Sequence, residues 1–135
     1  MRFLLIILLS VLVFSARPAP ALEWKPPEVA LQAIVTGLIV VDWGQTRTIA
    51  KNPQLFEETN KILGKHPSIA RVDNYMAGAL AGHLLVSHYL PAVMSRLGAS
   101  EAFSRSSRRI WQVAWIGVQA NVVRKNYRIG LTMSF

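Results

Sequence analysis

A short acidic and amide-rich segment interrupts an apolar stretch of this 135-residue chain. Residues 29–41 are mostly apolar, and Asp-Trp-Gly-Gln-Thr-Arg follows at residues 42–47. On a helix, the carboxylate of Asp42, the amide of Gln45 and the hydroxyl of Thr46 fall close to one face. A carboxylate in hydrocarbon is costly and marks a functional position by default. Asp42 is therefore the first candidate for chemistry.

His83 and Ser87 form a second candidate group because residues four apart share one face of a helix. With Asp42 they would supply the nucleophile, base and acid of a Ser-His-Asp hydrolase. No glycine elbow surrounds Ser87, and no oxyanion donor can be identified. Hydrogen bonding between helices is the default role of such groups in membranes. We therefore predict no catalytic residue, with an intramembrane hydrolase as an alternative.

Metal and cofactor sites are not predicted. The chain has no cysteine, which excludes disulfides and thiolate ligands. His83 and His88 are five residues apart, so a regular helix points them about 140° apart. A metal site made from Asp42, His83 and a loop residue such as His66 or Glu58 has no supporting motif.

The composition indicates a protein directed to a membrane. Hydrophobic residues make up 52% of the chain, charged residues 16%, and the formal net charge is +8. The charged fraction is below the roughly 25% typical of soluble proteins. Basic residues lie between the apolar runs rather than in one dense stripe. This distribution favours a lipid bilayer as partner and argues against nucleic acid.

The first 21 residues have the pattern of an export signal. Arg2 is followed by an apolar core at residues 3–14 and by the small-x-small sequence Ala19-Pro-Ala21. The core is shorter than the roughly 20 residues that a spanning helix needs, which favours cleavage. We predict a signal peptide at 1–21, a helical membrane domain at 22–126 and a C-terminal tail at 127–135.

Three apolar runs predict an all-α fold, a small three-helix membrane bundle. They cover residues 28–50, 72–94 and about 108–126. We expect Pro91 to kink or end the second helix and the serines of 104–107 to cap the third. A secreted soluble helical bundle is the rival interpretation.

Two shorter elements are expected outside these runs. Asn52 and Pro53 suit the start of a helix and Gly64 its left-handed end, which predicts a short amphipathic loop helix. It would lie on the membrane surface or cap the bundle. From Tyr127 to Phe135, apolar and other residues alternate as in a strand. This alternation predicts a short C-terminal strand, with association with the outer membrane as an alternative.

Two patterns concern helix packing. Gly78-Ala-Leu-Ala-Gly82 is a G-x-x-x-G match, which predicts close helix approach, inside the bundle first and by self-association second. An amide stripe on the third run is expected to face Asp42, Gln45 and His83 in a buried polar seam. The stripe consists of Gln112, Gln119 and Asn126.

The chain also resembles a known group of proteins. The segments Asp42-Trp-Gly-Gln-Thr-Arg-Thr-Ile-Ala, Glu58-Thr-Asn60 and Leu63-Gly-Lys-His-Pro-Ser68 are similar to a pattern of small uncharacterised proteins of proteobacteria and their phages. The resemblance covers residues 36–127 and implies a helical membrane protein of similar size, with no established activity. Its motif positions here are Asp42, Gln45, Thr46, Glu58, Asn60, Pro67 and Ser68.

These patterns lead to a functional hypothesis without enzymatic activity. We expect a structural or interaction component of the bacterial inner membrane that assembles with itself or a membrane protein partner. More basic residues flank the first loop and the C-terminus than the second loop, which places the former in the cytoplasm. A phage holin-like pore former is the alternative, and the periplasm is an alternative location. The candidate polar cluster is Asp42, Gln45, Thr46, Glu58, Asn60 and His83.

Overall fold

Three long helices carry the fold in this computed structural model, which describes residues 23–135. They are α1 (Pro26–Lys51), α2 (Ile69–Arg96) and α3 (Glu101–Arg128), and no strand is present in the described part. The all-α prediction is therefore confirmed. The signal peptide predicted at 1–21 lies outside the described residues.

The start and end of α1 follow from local hydrogen bonding. Pro26 and Pro27 open the helix, where a missing N–H costs nothing. The Glu28 carboxylate accepts a hydrogen bond from the Lys25 N–H at 3.1 Å, which satisfies a donor at the helix start. At the other end, the Asn52 side-chain amide donates to a backbone carbonyl of the last turn, that of Thr48, at 2.9 Å.

Serine side chains cap the other two helices. The Ser68 hydroxyl accepts from the Arg71 N–H at 3.3 Å and thereby caps the start of α2. Ser100 caps α3 in the same way, so the prediction that residues 104–107 would cap this helix is wrong. Those residues lie inside the first turns of α3. The α2 helix continues past Pro91 to Arg96, so Pro91 does not end it.

The contacts between helices define their directions. Glu28 and Arg108 join the N-terminal parts of α1 and α3, and Gln45 contacts Val123 near their C-terminal ends, so these helices run parallel. The C-terminal part of α1 meets the N-terminal part of α2 through the Arg47–Asp73 pair. The α2 helix is therefore antiparallel to the other two.

The loop at residues 52–68 does not contain the predicted amphipathic helix. Glu58 Oε1 accepts from the Asn60 N–H at 2.8 Å, and Asn60 Oδ1 accepts from the Ile62 N–H at 3.0 Å. Such local bonds from side chain to backbone compete with helix formation. Leu63 is fully buried, so the loop folds back onto the bundle. Gly64 does adopt the left-handed conformation that the sequence predicted, with φ +77°.

The C-terminal tail packs against α1 instead of forming a strand. Leu131 is fully buried, the Ser134 N–H donates to the Gly44 carbonyl at 3.1 Å, and the Thr48 hydroxyl donates to the Thr132 carbonyl at 2.6 Å. Glycine at position 44 permits this approach, because a Cβ there would lie 3.0 Å from Met133 Cβ and 2.9 Å from Phe135 Cε2. Of the five alternating apolar residues of the tail, only Leu131 is buried, and within residues 23–135 no strand pairs with the tail.

Polarity is inverted between the interior and the surface of the bundle. Polar side chains outnumber apolar ones among the buried residues described, and large apolar side chains are exposed on all three helices. A soluble bundle shows the opposite arrangement, with an apolar stripe facing the core. The exposed apolar residues of the three helices include Val29, Ile34, Val40, Leu84, Leu85, Val86, Ile110, Val113 and Val118.

Two of the three helices are long and apolar enough to cross a membrane, namely α1 and α2. In their most apolar windows only 33% and 28% of the residues are buried within the bundle. A core helix of a soluble protein would be mostly buried, so these helices present most of their apolar surface outward. This finding supports membrane association without identifying the membrane.

The G-x-x-x-G motif lies on the outer surface of α2. Gly78 is exposed, and a Cβ added at Gly78 or Gly82 would have no other atom within 4 Å. The prediction that this motif packs inside the bundle is therefore wrong. Sequence alone could not assign the motif to a face, because glycine contributes no hydrophobic side chain that would indicate burial.

Candidate functional site

Buried polar side chains lie between the helices along the bundle, interrupted on α1 by the fully buried Val35 and Ile39, and we call this set the polar seam. Every helix contributes to it, and most of its members are below a tenth exposed. Because α1 and α3 are parallel, polar residues at matching heights of these helices meet. The seam consists of Glu28, Gln32, Asp42, Gln45, His83, Ser87, Arg108, Gln112, Gln119 and Asn126.

A buried ion pair closes the seam at the N-terminal end of α1. Arg108 Nη1 donates to Glu28 Oε2 at 2.7 Å, and the two side chains are only 1% and 5% exposed. Arg108 Nε also donates to the Ser87 carbonyl at 2.8 Å, which ties in α2. The Trp24 ring lies 4.4 Å from the guanidinium carbon, and Arg109 Nε lies 3.3 Å from Glu28 Oε1. One guanidinium thus holds all three helices together.

Sequence reasoning missed Glu28 and Arg108 as site residues. Arg108 was counted among the basic residues of the second loop, whereas it is the largest fully buried side chain described. Its position did carry a signal, because Arg108 precedes Gln112 by one helical turn on the amide stripe. Extending the stripe by that turn includes Arg108 as a polar position, but it does not show that the side chain is buried.

Two of the three amides of the α3 stripe, Gln112 and Asn126, donate hydrogen bonds to α1. Gln112 Nε2 donates to Gln32 Oε1 at 3.2 Å. Near the other end, Asn126 Nδ2 donates to Asp42 Oδ1 at 3.2 Å and to Gln45 Oε1 at 3.1 Å. The structure therefore brings the stripe to two of the three residues that it was expected to face, Asp42 and Gln45.

His83 lies elsewhere, between two aromatic rings of α3. Its ring stacks on Trp111 at a centroid distance of 5.6 Å and meets Trp115 edge to face at 5.4 Å. Nε2 is 3.3 Å from the Ser87 hydroxyl, whereas the buried Nδ1 has no hydrogen-bond partner. Because the Asp42 carboxylate does not bond to His83, the three residues do not form the hydrogen-bonded chain of a hydrolase.

Four of the six residues in the predicted polar cluster line one cavity, with a volume of about 290 Å³. Asp42 and Thr46 reach it from α1, and Glu58 and Asn60 reach it from the first loop. Gln45 lies beside the cavity and is joined to Asp42 only through Asn126. The rest of the wall includes Tyr75, Met76, Trp115, Val118 and Gln119.

The two cations nearest to Asp42 in sequence, Arg47 and Lys51, bind other partners. Arg47 pairs with Asp73 at 2.6 Å, and Trp43 Nε1 donates to the same carboxylate at 2.7 Å. Lys51 donates to the Ser134 hydroxyl in the tail at 2.7 Å. Neither Arg47 nor Lys51 therefore pairs with Asp42.

The fold and the site define a class: a small all-α protein whose polar interior is closed by a buried ion pair and whose outer surface is apolar. Comparison with known protein families, curated proteins and solved structures finds no match to the chain. The resemblance to small proteins of proteobacteria and phages stays a prediction. Within residues 23–135, no three His, Asp or Glu side chains form a group that could hold a metal ion.

Proposed function

We propose that this protein is a small integral protein of the bacterial inner membrane that serves as a structural or interaction component of the envelope. The inverted polarity of the bundle carries this proposal. In a bilayer, exposed apolar side chains contact lipid, while buried amides and charges hydrogen-bond between helices. The same surface in water would leave a large apolar area exposed to solvent.

The spacing of the charged groups supports a transmembrane placement. Glu28 and Arg47 are 19 residues apart on α1, which corresponds to roughly 28 Å of helix. The hydrocarbon core of a bilayer is about 30 Å thick. The Glu28–Arg108 and Arg47–Asp73 pairs would therefore lie near the two interfaces, with the apolar surface between them.

The proposal includes α3, although its mean hydropathy is too low for it to count as a candidate span. Its polar groups Gln112 and Gln119 are buried within the bundle, whereas Ile110, Val113 and Val118 are exposed. The buried amides lower the mean hydropathy of α3, although they do not face outward. The exposed surface alone is compatible with lipid, so α3 would cross as the third helix of the bundle.

The packing of the seam favours a structural role over a conducting or catalytic one. Hydrogen bonds join Gln32 to Gln112 and Asp42 to Asn126, and the apolar side chains of Val35 and Ile39 between them on α1 are fully buried. A pore would need an open, hydrated path along this axis. His83 has no carboxylate partner to orient it, which weakens the case for a hydrolase.

The distribution of basic residues supports an orientation with the first loop in the cytoplasm. The exposed Lys and Arg side chains lie mainly at the end of the bundle that holds this loop and the C-terminus of α3. The exposed basic residues at this end are Lys51, Lys61, Lys65, Arg71, Arg124, Lys125 and Arg128.

Membrane extraction and cysteine labelling test the proposal. After expression in a bacterium, the protein should remain in the membrane pellet during alkaline carbonate washing and be released by detergent. Because the chain has no cysteine, single substitutions can report orientation. Ser95→Cys should react with an impermeant maleimide in intact spheroplasts, and Lys61→Cys only after permeabilisation. Release by carbonate would refute membrane integration, and the opposite labelling would refute the orientation.

A further inference from the structure

One end of the bundle carries positive charge that the bundle itself does not neutralise. This basic end comprises the loop at residues 52–68, the last turns of α3 and the tail at residues 129–135. Of its exposed Lys and Arg side chains, only Lys65 forms a salt bridge within residues 23–135, with Glu57 at 3.1 Å. Three others donate to hydroxyl, backbone or amide oxygens. The remaining three, Lys61, Lys125 and Arg128, bond to no residue in the described part of the chain.

The cations in the N-terminal half of α3, at the opposite end of the bundle, have carboxylate partners instead. Arg105 pairs with Glu101, and both Arg108 and Arg109 pair with Glu28. The unneutralised charge is therefore a property of one end and not only of the net charge of the chain. Like charges gathered on one surface repel one another, so such a surface is stabilised by an external anion.

The cations of the loop and of α3 belong to one surface, because these elements are neighbours. Asn60 and Asn126 line the same cavity, so Lys61 and Lys125, each next in sequence to one of them, lie on adjacent elements. The tail joins them, since Lys51 at the end of α1 donates to the Ser134 hydroxyl of the tail at 2.7 Å. The positive charge is thus concentrated over one end of the bundle.

Exposed apolar side chains at the same end are a second, independent observation. Leu55 and Ile62 in the loop and Ile129 after α3 are each more than half exposed. They lie outside the three helices, so the lipid core that would cover the helices does not cover them. Apolar side chains beside cations suit the membrane interface, where apolar groups enter the acyl boundary and cations reach lipid phosphates. An acidic protein or a nucleic acid would match the cations but would leave these apolar residues unexplained.

We propose that the basic end binds the headgroups of anionic phospholipids in the leaflet next to it. The cations without a partner would lie at the lipid phosphates, and Leu55, Ile62 and Ile129 would lie among the headgroups. This inference rests on the membrane function proposed above and deepens it, because it names the lipid and the residues that select it. An excess of basic residues by itself indicates only the orientation of the helices.

Quenching of a fluorophore by spin-labelled lipids tests the proposal. Because the chain has no cysteine, Ile62→Cys can carry a single nitrobenzoxadiazole probe. The protein is reconstituted in nanodiscs of phosphatidylcholine and phosphatidylglycerol, with the spin label on one lipid or the other. At low salt, labelled phosphatidylglycerol should quench the probe at least about twofold more strongly than labelled phosphatidylcholine, since each cation attracts anionic lipid. At about 1 M salt the Debye length is only about 3 Å, so this preference should disappear.

Paired substitutions on α3 connect the preference to the basic end. Lys125→Gln/Arg128→Gln removes two cations without a partner and should abolish most of the preference for phosphatidylglycerol. The matched control is Arg105→Gln/Arg109→Gln, which removes the same charge from the opposite end of the same helix and should leave the preference unchanged. Equal effects of the two double variants would overturn the proposal, as would equal quenching by both lipids at low salt. Far-UV circular dichroism verifies the fold of each variant.

A probe at Val40 separates this inference from the membrane function on which it rests. Val40 is exposed on α1 between Glu28 and Arg47, so Val40→Cys should be quenched by lipids that carry the label deep in the acyl chain. Quenching at Val40 without quenching at Ile62 would keep the membrane function and refute the lipid contact of the basic end. Quenching at Ile62 alone would refute the membrane-spanning placement and keep the contact with anionic lipid.

Discussion

The buried pair of Arg108 and Glu28 makes the sharpest stability prediction. Arg108→Met removes the guanidinium and leaves the Glu28 carboxylate, 5% exposed, with only the half-exposed Arg109 and a backbone N–H as partners. Breaking a buried ion pair in this way typically costs about 3–5 kcal/mol. Because Arg109 can partly compensate, we expect a loss near the lower limit, about 3 kcal/mol in the free energy of unfolding.

The chain offers a matched control on the same helix. Arg105 pairs with Glu101 one turn away, but these side chains are 54% and 76% exposed. Exposed pairs at this spacing contribute about 0.3–0.5 kcal/mol, so Arg105→Met should be almost neutral. Reversible unfolding in mixed micelles, followed by far-UV circular dichroism, would measure both variants. Because the substitution is the same, the difference between the two losses in free energy of unfolding measures the effect of burying the ion pair.

The double variant Arg108→Met/Glu28→Leu tests the cause of the loss. Replacing both partners leaves no buried charge, and such replacements are often neutral or stabilising. We therefore expect the double variant to unfold within about 1 kcal/mol of the wild type. A double variant as unstable as the sum of the single changes would refute the reasoning, as would equal losses for Arg108→Met and Arg105→Met.

Two further predictions follow from close packing. Gly44→Ala places a Cβ 2.9 Å from Phe135 Cε2 and should displace the tail at a cost of about 1–3 kcal/mol, measured as faster carboxypeptidase release of the terminal residues. Gly37→Ala is the control, because nothing lies within 4 Å there, and an unchanged tail in Gly44→Ala would contradict the prediction. His83→Phe keeps the stack on Trp111 and removes the unpartnered Nδ1 together with the Nε2 contact to the buried Ser87 hydroxyl, so the free energy of unfolding should fall by about 1 kcal/mol; no loss, or a loss above about 3 kcal/mol, would contradict this reasoning.

The helices could be predicted because their signals are local. Apolar runs fixed their approximate extents, and residues such as Ser68 and Asn52 mark their ends through bonds within one turn. The prediction of a loop helix was wrong because a different local signal acts in that segment. Glu58 and Asn60 bond to the backbone of the loop itself, and a pattern of apolar spacing does not register that competition.

The candidate site was harder to predict because it depends on which helices are parallel. Asp42, Thr46, Glu58 and Asn60 were grouped by the resemblance, and the structure places all four around one cavity. Arg108 was not found, since a charge next to a serine-rich segment has the pattern of an exposed loop. Its burial requires the parallel pairing of α1 and α3, which a single sequence does not indicate.

Each end of the polar seam contains a buried carboxylate, and the two carboxylates have different partners. Glu28 is buried with an arginine from the bundle itself, so that end is complete and acts as a lock between helices. Asp42 is buried with an amide donor from Asn126, and the nearest further charge in its cavity, Glu58, has the same sign. Arg108 pairs with the Glu28 carboxylate. Arg47 is close in sequence to Asp42 but pairs with Asp73 instead. That difference is why we assign the structural connection between the helices to the Glu28 end rather than to the Asp42 end.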